Sequence, residues 1–237
     1  MNTIVFDIET GPLPEAELEA LLPPFDPAEV KVGNLKDPEK IAAKIAEAEA
    51  NHRQSFVDRA ALDPLTGRVL AIGVLDVSGA PAEVKIIGWQ DEAELLRDFW
   101  ELCMGDMGRV NELIGFNSHL FDLPFLVRRS WKHRVQVPRG IRRGRYWSDQ
   151  SVDLRESWQL GDRMARGSLD AIARHLGVGA KLSAPVAKCV PHGPMITGKD
   201  FAGLWVSDRS TAEAYLRNDL ELTVKVAERL GCVPHLT

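Results

Sequence analysis

Val5-Phe6-Asp7-Ile8-Glu9-Thr10, with Asn2, Thr3 and Ile4 ahead of it, decides how the rest of the chain is read. Asn2 to Ile8 reads as a short buried strand. A strand alternates its faces, so Asp7 and Glu9 share one side while Phe6 and Ile8 take the other. Two acids two residues apart at the end of a buried strand are costly unless something positive sits between them, and a divalent metal is the usual remedy. For this pair alone, a strand end dissolving into solvent is the plainer alternative.

Outward from that strand, Val69 to Val77 (VLAIGVLDV) predicts a second apolar strand and Glu83 to Trp89 a third, joined as a hairpin through Ser78-Gly79. Asp91 followed by Glu94 is a capping-box signature, after which Leu95, Leu96, Phe99, Trp100 and Cys103 repeat at helical spacing. Glu112 to Phe116 predicts a fourth strand, passing at Asn117 into a helix that contains Phe121, Phe125 and Leu126. Ser168 caps a helix through His175 that ends at Gly177. Ser210 with Glu213 opens another, running to Leu230 with Gly231 just beyond. An antiparallel meander followed by α/β units implies one mixed sheet with helices packed on its faces.

Two segments stand apart. Gly11 to Leu65 is long for a connection, Pro-rich and acidic at first, then helix-like from Pro38 to Val57 (Ile41, Ile45, Ala48, His52). Ala180 to Phe201 is rich in Gly, Pro and Lys and reads as a surface excursion. The expected organisation is a single domain over residues 1–237, with a partly helical insert at 11–65 and that excursion at 180–201.

The 237 residues are enough to bury a sizeable core, and an apolar share of 45% with 27% charged residues is that of an ordinary globular protein. No stretch approaches the roughly 18 apolar residues of a membrane span, and no basic-then-apolar leader marks a secretory signal. Cys103, Cys189 and Cys232 are odd in number and widely spaced, which gives neither a disulfide framework nor a paired-cysteine zinc site; a reducing cytoplasm fits. The net charge of −5 does not by itself suggest a nucleic-acid binder, but its distribution changes that view. Arg128, Arg129, Lys132, Arg134, Arg139, Arg142, Arg143 and Arg145 fall in one acid-free run with His133. Without these eight, 21 basic residues face 34 acidic ones, leaving −13. A phosphate-tracking surface on an acidic protein needs that asymmetry, and a solvated helix end is the plainer alternative.

Two further segments carry carboxylates in unusual settings. In Gly115 to Leu126 (GFNSHLFDLPFL), Asp122 lies in the first turns of a helix, where the macrodipole favours an acid and a capping role would suffice. Yet the run is otherwise apolar from Leu120 to Val127, and an acid embedded there needs a partner. In Ala214 to Asp219 (AYLRND), Tyr215 and Asp219 are four apart and share a helix face that Leu222 and Val226 extend. That face points inward, which is unusual for an Asp.

VFDIET, the Asn117-Phe121-Asp122 arrangement and the Tyr215-to-Asp219 spacing together resemble the three motifs of the DEDD exonucleases, and the tyrosine places the likeness in the DEDDy branch. The chain is similar to the proofreading domains of family B DNA polymerases and their free-standing predicted relatives, from end to end, least so over Gly11 to Leu65. The resemblance implies an α/β, ribonuclease H-like fold: a mixed five-stranded sheet, antiparallel meander then parallel α/β units, with helices on both faces. It implies that Asp7, Glu9, Asp122 and Asp219 bind two Mg²⁺ or Mn²⁺ ions, with Tyr215 and Glu9 orienting the attacking water. It further implies that Asn117 and Phe121 grip the terminal nucleotides with Thr10 beside the 3′ end. The basic stretch leaves from the same helix, so Arg128, Arg129, Arg142 and Arg143 are expected to contact the backbone, with Trp131, Tyr146 and Trp147 as possible stacking partners.

Other residues carry less. Cys189 and His192 lack a second pair, Asp170 and His175 suit the ends of their helix, and Asp149 and Asp153 read as strand-end acids. The expected substrate is nucleic acid with a free 3′ end, single-stranded DNA ahead of RNA, with a replication or repair protein as a possible partner and no membrane. A non-catalytic nucleic-acid-binding or replisome-adaptor protein would not need the Tyr215–Asp219 pair, and a ribonuclease H-like endonuclease would not need a 3′-end grip at Asn117–Phe121.

Overall fold

Residues 2–79, 84–88, 91–105, 109–141, 151–162, 164–182 and 198–233 are described in a computed structural model. Among them, strands β1 (Thr3–Pro12), β2 (Gly67–Asp76), β3 (Val84–Ile87), β4 (Glu112–Gly115) and β5 (Ser151–Asp153) form one sheet in the order β3-β2-β1-β4-β5. β2 and β3 pair antiparallel, whereas β1–β4 and β4–β5 pair parallel, with Val5 opposite Ile114 and Gly115 opposite Asp153. The helices in chain order are α1 (Glu15–Ala20), α2 (Pro38–Ala50), α3 (His52–Ala60), α4 (Glu92–Cys103), α5 (Asp122–Lys132), α6 (Leu154–Gln159), α7 (Leu169–Leu176), α8 (Gly198–Ser207) and α9 (Arg209–Arg229). This is the mixed five-stranded α/β architecture that the resemblance implies.

The chain divides into two compact units, Met1–Thr10 with Val69–Thr237, and Gly11–Arg68. The smaller contains α1, α2 and α3. Arg53 on α3 bonds both Glu15 and Glu19 on α1, and Leu13 donates its N–H to the Thr66 carbonyl. The expected single helix over Pro38 to Val57 is two, because the chain breaks at Asn51.

In the larger unit the strand alternation sorts the core. Ile4, Phe6 and Ile8 of β1 pack with Leu95, Phe99, Leu123 and Leu126 of α4 and α5. Val5 belongs to the opposite core, with Leu169 and Ile172 of α7 and Leu220 and Val226 of α9. Asp7 and Glu9 share the parity of Val5 and therefore lie on the α9 side. Gly73 on β2 lets α9 approach closely: a methyl there would lie 2.5 Å from Leu220 Cδ1 and 3.0 Å from Leu216 Cγ.

Local signals set most boundaries. Asp91 accepts the Ala93 and Glu94 amides at the start of α4, and Ser168 accepts the Ala171 amide at the start of α7, which ends at Gly177 in the left-handed region (φ 67°). α9 starts earlier than its expected Ser210 cap, because Asp208 accepts both the Thr211 amide and hydroxyl. α5 starts later than expected. Asn117 takes a left-handed conformation (φ 62°) and the helix proper begins at Asp122.

Candidate active site

The site is assembled from both ends of the chain and its middle. β1 delivers Asp7 and Glu9, and α9 delivers Tyr215 and Asp219, both buried on its sheet-facing side. Carboxylate oxygens of Asp7, Glu9 and Asp219 lie within 4.8 Å of one another. Asp122, the first residue of α5, stands beside this trio rather than within it; its Oδ1 accepts the Ile8 amide at 3.2 Å and the charge of Asp7 acts on it. Asp7 keeps some solvent exposure, whereas Glu9, Asp122 and Asp219 are buried.

Burial and mutual repulsion raise these acids together. Burial first, then Asp219, pushes the Asp7 carboxyl up to about 7. Burial, then Asp7 and Asp219, holds Glu9 well above the usual carboxylate range, and burial and Asp7 do the same for Asp122. Burial also raises Asp219, although Lys181 opposes it. Burial and the surrounding carboxylates raise the Tyr215 hydroxyl, which remains a protonated donor and is bonded to Asp219.

Lys181, which the sequence reading passed over, is part of this site. Its ammonium donates to Asp219 Oδ2 and, at 3.3 Å, to the Tyr215 hydroxyl. Burial works against its charge, but Asp219, Asp7 and Glu9 more than offset this and raise it. Two clamps fix its backbone: Asp170 on α7 accepts the Lys181 amide at 2.8 Å, and Asn218 on α9 accepts the Leu182 amide at 2.9 Å. The stretch 180–201 is thus not a surface excursion at its ends. Lys181 enters the acidic cluster, and Phe201 is buried against Tyr215, with ring centroids 6.1 Å apart.

The donor set suits a hard cation. All the candidate ligands are carboxylate oxygens, and Asp219 Oδ1 is buried without a hydrogen-bond partner. Zinc would favour nitrogen and sulfur. A second grouping, His119, Asp153 and Glu156, is satisfied internally: His119 bonds Glu156 and Ser151, and Asp153 accepts the Asn117, His119 and Arg155 amides. Asp153 is therefore buried rather than solvated, and it fastens the loop between β4 and α5.

The remaining expected contacts divide. Thr10 is buried at the end of β1. Asn117 Oδ1 accepts from Arg155 at 3.1 Å, and Phe121 is half-buried against Phe125. Arg128 is exposed. Arg129 is not a surface contact: it is 2% exposed, and its guanidinium bonds both Glu92 oxygens, at 2.9 and 2.6 Å. Helical periodicity puts Arg129 on the inner face of α5 beside Leu126, and a buried guanidinium there requires the carboxylate that α4 supplies. Arg134 and Arg139 line a cleft of about 760 Å³ with Arg97. Trp89, Arg142, Arg143, Arg145, Tyr146, Trp147, Asp149, Cys189 and His192 lie outside the described residues.

A mixed five-stranded sheet covered by helices, with acids gathered from β1, the first turn of α5 and the middle of α9, defines a ribonuclease H-like domain whose acidic cluster could hold a metal ion. The chain belongs to the family described as predicted 3′-5′ exonucleases related to the exonuclease domain of PolB, whose family model matches residues 62–185. That stretch contains Asp122 and Lys181, with the other acids and Tyr215 on either side of it. Among solved structures, the family B DNA polymerase of the hyperthermophilic archaeon Pyrobaculum calidifontis is similar in fold, with a TM-score of 0.59 at 20% identity. The match covers 97% of this chain and 24% of the polymerase, so the chain spans about a quarter of that protein's length. No curated protein matches the chain. Among the described residues no helix is long and apolar enough to cross a membrane.

Proposed function

We propose that this chain is a metal-dependent 3′-5′ exonuclease that releases nucleoside 5′-monophosphates from the 3′ end of single-stranded DNA, acting in the cytoplasm. The observation that carries this reading is the convergence of Asp7, Glu9 and Asp219 within 4.8 Å, with the Tyr215 hydroxyl bonded to Asp219. Buried carboxylates this close repel strongly, and cations between them are the remedy. Asp7, Glu9, Asp122 and Asp219 would hold two Mg²⁺ or Mn²⁺ ions. When bound, such ions supply a hydroxide nucleophile at neutral pH and offset the charge that builds on the phosphorus and the leaving 3′ oxygen.

The chain's own groups do the rest. Tyr215 keeps its proton and, with Glu9, orients the attacking water. Lys181 donates to Tyr215 and Asp219 and so fixes both. Thr10, Asn117 and Phe121 hold the terminal nucleotides, and the exposed Arg128, with Arg142 and Arg143 further along the basic run, receives the backbone. Residues 1–237 work as one domain carrying the 11–65 insert, in support of a replication or repair protein.

Digestion of 3′-labelled and 5′-labelled single-stranded DNA and RNA in Mg²⁺ tests this. The expected result is stepwise loss from the 3′ end, with DNA preferred, and a fall of several orders of magnitude in Asp7→Ala. Activity that persists in Asp7→Ala would end the reading, and equal or faster loss of RNA would move the substrate to RNA.

A further inference from the structure

The basic run beginning at Arg128 is not one surface. Arg129 is committed to Glu92, and Arg134 and Arg139 turn into the cleft with Arg97. What remains exposed on α5 is Arg128 with Trp131 and Lys132. On a helix Arg128 and Trp131 are neighbours, three apart, and Pro124 lies on the same stripe. Trp131 is 59% exposed, and Leu120, just before the helix, is 74% exposed. Single exposed apolar residues need no explanation, but this one is a tryptophan beside an exposed guanidinium. No Asp or Glu occurs from Leu123 to Ile141, so α5 beyond Asp122 contributes no acid of its own to repel a polyanion.

The face has a fixed relation to the acidic cluster. α5 begins at Asp122, and Trp131 lies nine positions further on, about 14 Å along the axis and about half a turn round the helix. A strand whose 3′ end lay at Asp122 and Phe121 would, on rounding the helix, meet a cation and then a stacking surface, the pairing that binds single strands without reading sequence.

Resting on the exonuclease reading above, we propose that the outer face of α5 is a single-strand track, on which Trp131 stacks against a base and Arg128 contacts a phosphate several nucleotides from the 3′ end. The substrate class follows. Long single-stranded 3′ tails are preferred, and oligonucleotides too short to reach Trp131 forfeit the contact.

The test uses the full chain in an Asp7→Asn background for binding and with the native Asp7 for cleavage. Labelled oligothymidylates of about 4 and about 20 nucleotides are compared by fluorescence anisotropy. Trp131→Ala should weaken binding of the longer strand about tenfold and shrink its advantage over the shorter one, while Trp131→Tyr restores most of it. Arg128→Ala should weaken the longer strand and flatten its salt dependence by about one unit of slope. Thermal melting of each variant checks that the fold is kept. Unchanged affinity for the longer strand in Trp131→Ala overturns the track even if cleavage proceeds normally. Weakened binding without any cleavage by the native protein leaves the track standing and removes the exonuclease reading instead. Affinity lost only for a protein partner, with oligothymidylate binding intact, also overturns it.

Discussion

The ammonium of Lys181 donates to the carboxylate of Asp219, so that the segment following α7 closes onto α9 inside the acidic cluster. Asp7 and Glu9 also stabilise that charge. Replacing Lys181 by Met leaves the buried acids without it and should lower metal-free stability by about 2 kcal/mol, with Mg²⁺ recovering part of the loss. Urea denaturation with and without Mg²⁺ reads both effects. Equal stability of variant and native protein would show that the ammonium offsets nothing.

Stability should depend on pH in an unusual direction. An unfolded Asp releases its proton near 3.8, whereas folded Asp7 holds its own up to about 7. Between those values the folded state binds more protons, so metal-free stability falls as pH rises through the window and levels out above it. Glu9 and Asp122, raised well above their usual values, extend the decline in the same sense. Glu92 has the opposite sign, since bonds from Arg129 and Val69 outweigh burial and lower it, but its effect is lost only below about pH 4.5. Metal-free protein should melt higher at about pH 5 than at about pH 8, and Mg²⁺ should raise the melting temperature more at the higher pH. A melting temperature that rises with pH in EDTA would contradict this.

Gly73→Ala should disturb the site from outside it. The added methyl meets Leu220 and Leu216, and these leucines flank Asp219 and follow Tyr215 on α9. Overpacking of this kind costs about 1–3 kcal/mol, and displacement of α9 should lower turnover more than substrate affinity. Calorimetry with steady-state kinetics checks both, and native turnover would mean that α9 absorbs the methyl without moving.

Arg129→Ala should be mainly a stability variant. It strands the Glu92 carboxylate, which also accepts the Val69 amide and is bonded to His133, and should cost about 3 kcal/mol. The double variant Glu92→Gln with Arg129→Met should be less damaged than the single one, because no buried charge is left unpaired. Denaturant melts decide this. A change in the salt slope of nucleic-acid binding, with stability kept, would return Arg129 to the surface role that the sequence suggested.

The strand alternation made Asp7 and Glu9 legible, and the inward stripe through Leu222 and Val226 did the same for Asp219. β5 is only three residues long, too short to leave a periodicity, and with it went the buried role of Asp153. Lys181 was hidden for a different reason. Its partner is 38 residues away, and the Gly, Pro and Lys around it carry the composition of a surface loop. Arg129 is legible by phase, because it shares the buried face of α5 with Leu126 and Ser130, but its basic neighbours give the stretch the composition of a charged surface. Asn117 in the left-handed region delays α5 by several residues, which no pattern of apolar positions reports.

The alternation of β1, with Ile4, Phe6 and Ile8 turned one way and Val5, Asp7 and Glu9 the other, ties assembly of the acidic cluster to correct folding. Pairing β1 one residue out of register would thrust both acids among Phe99 and Leu126 and turn three large apolar side chains toward α9. A mispaired copy could not gather the acidic cluster, because the slip that spoils its interior disperses the carboxylates as well.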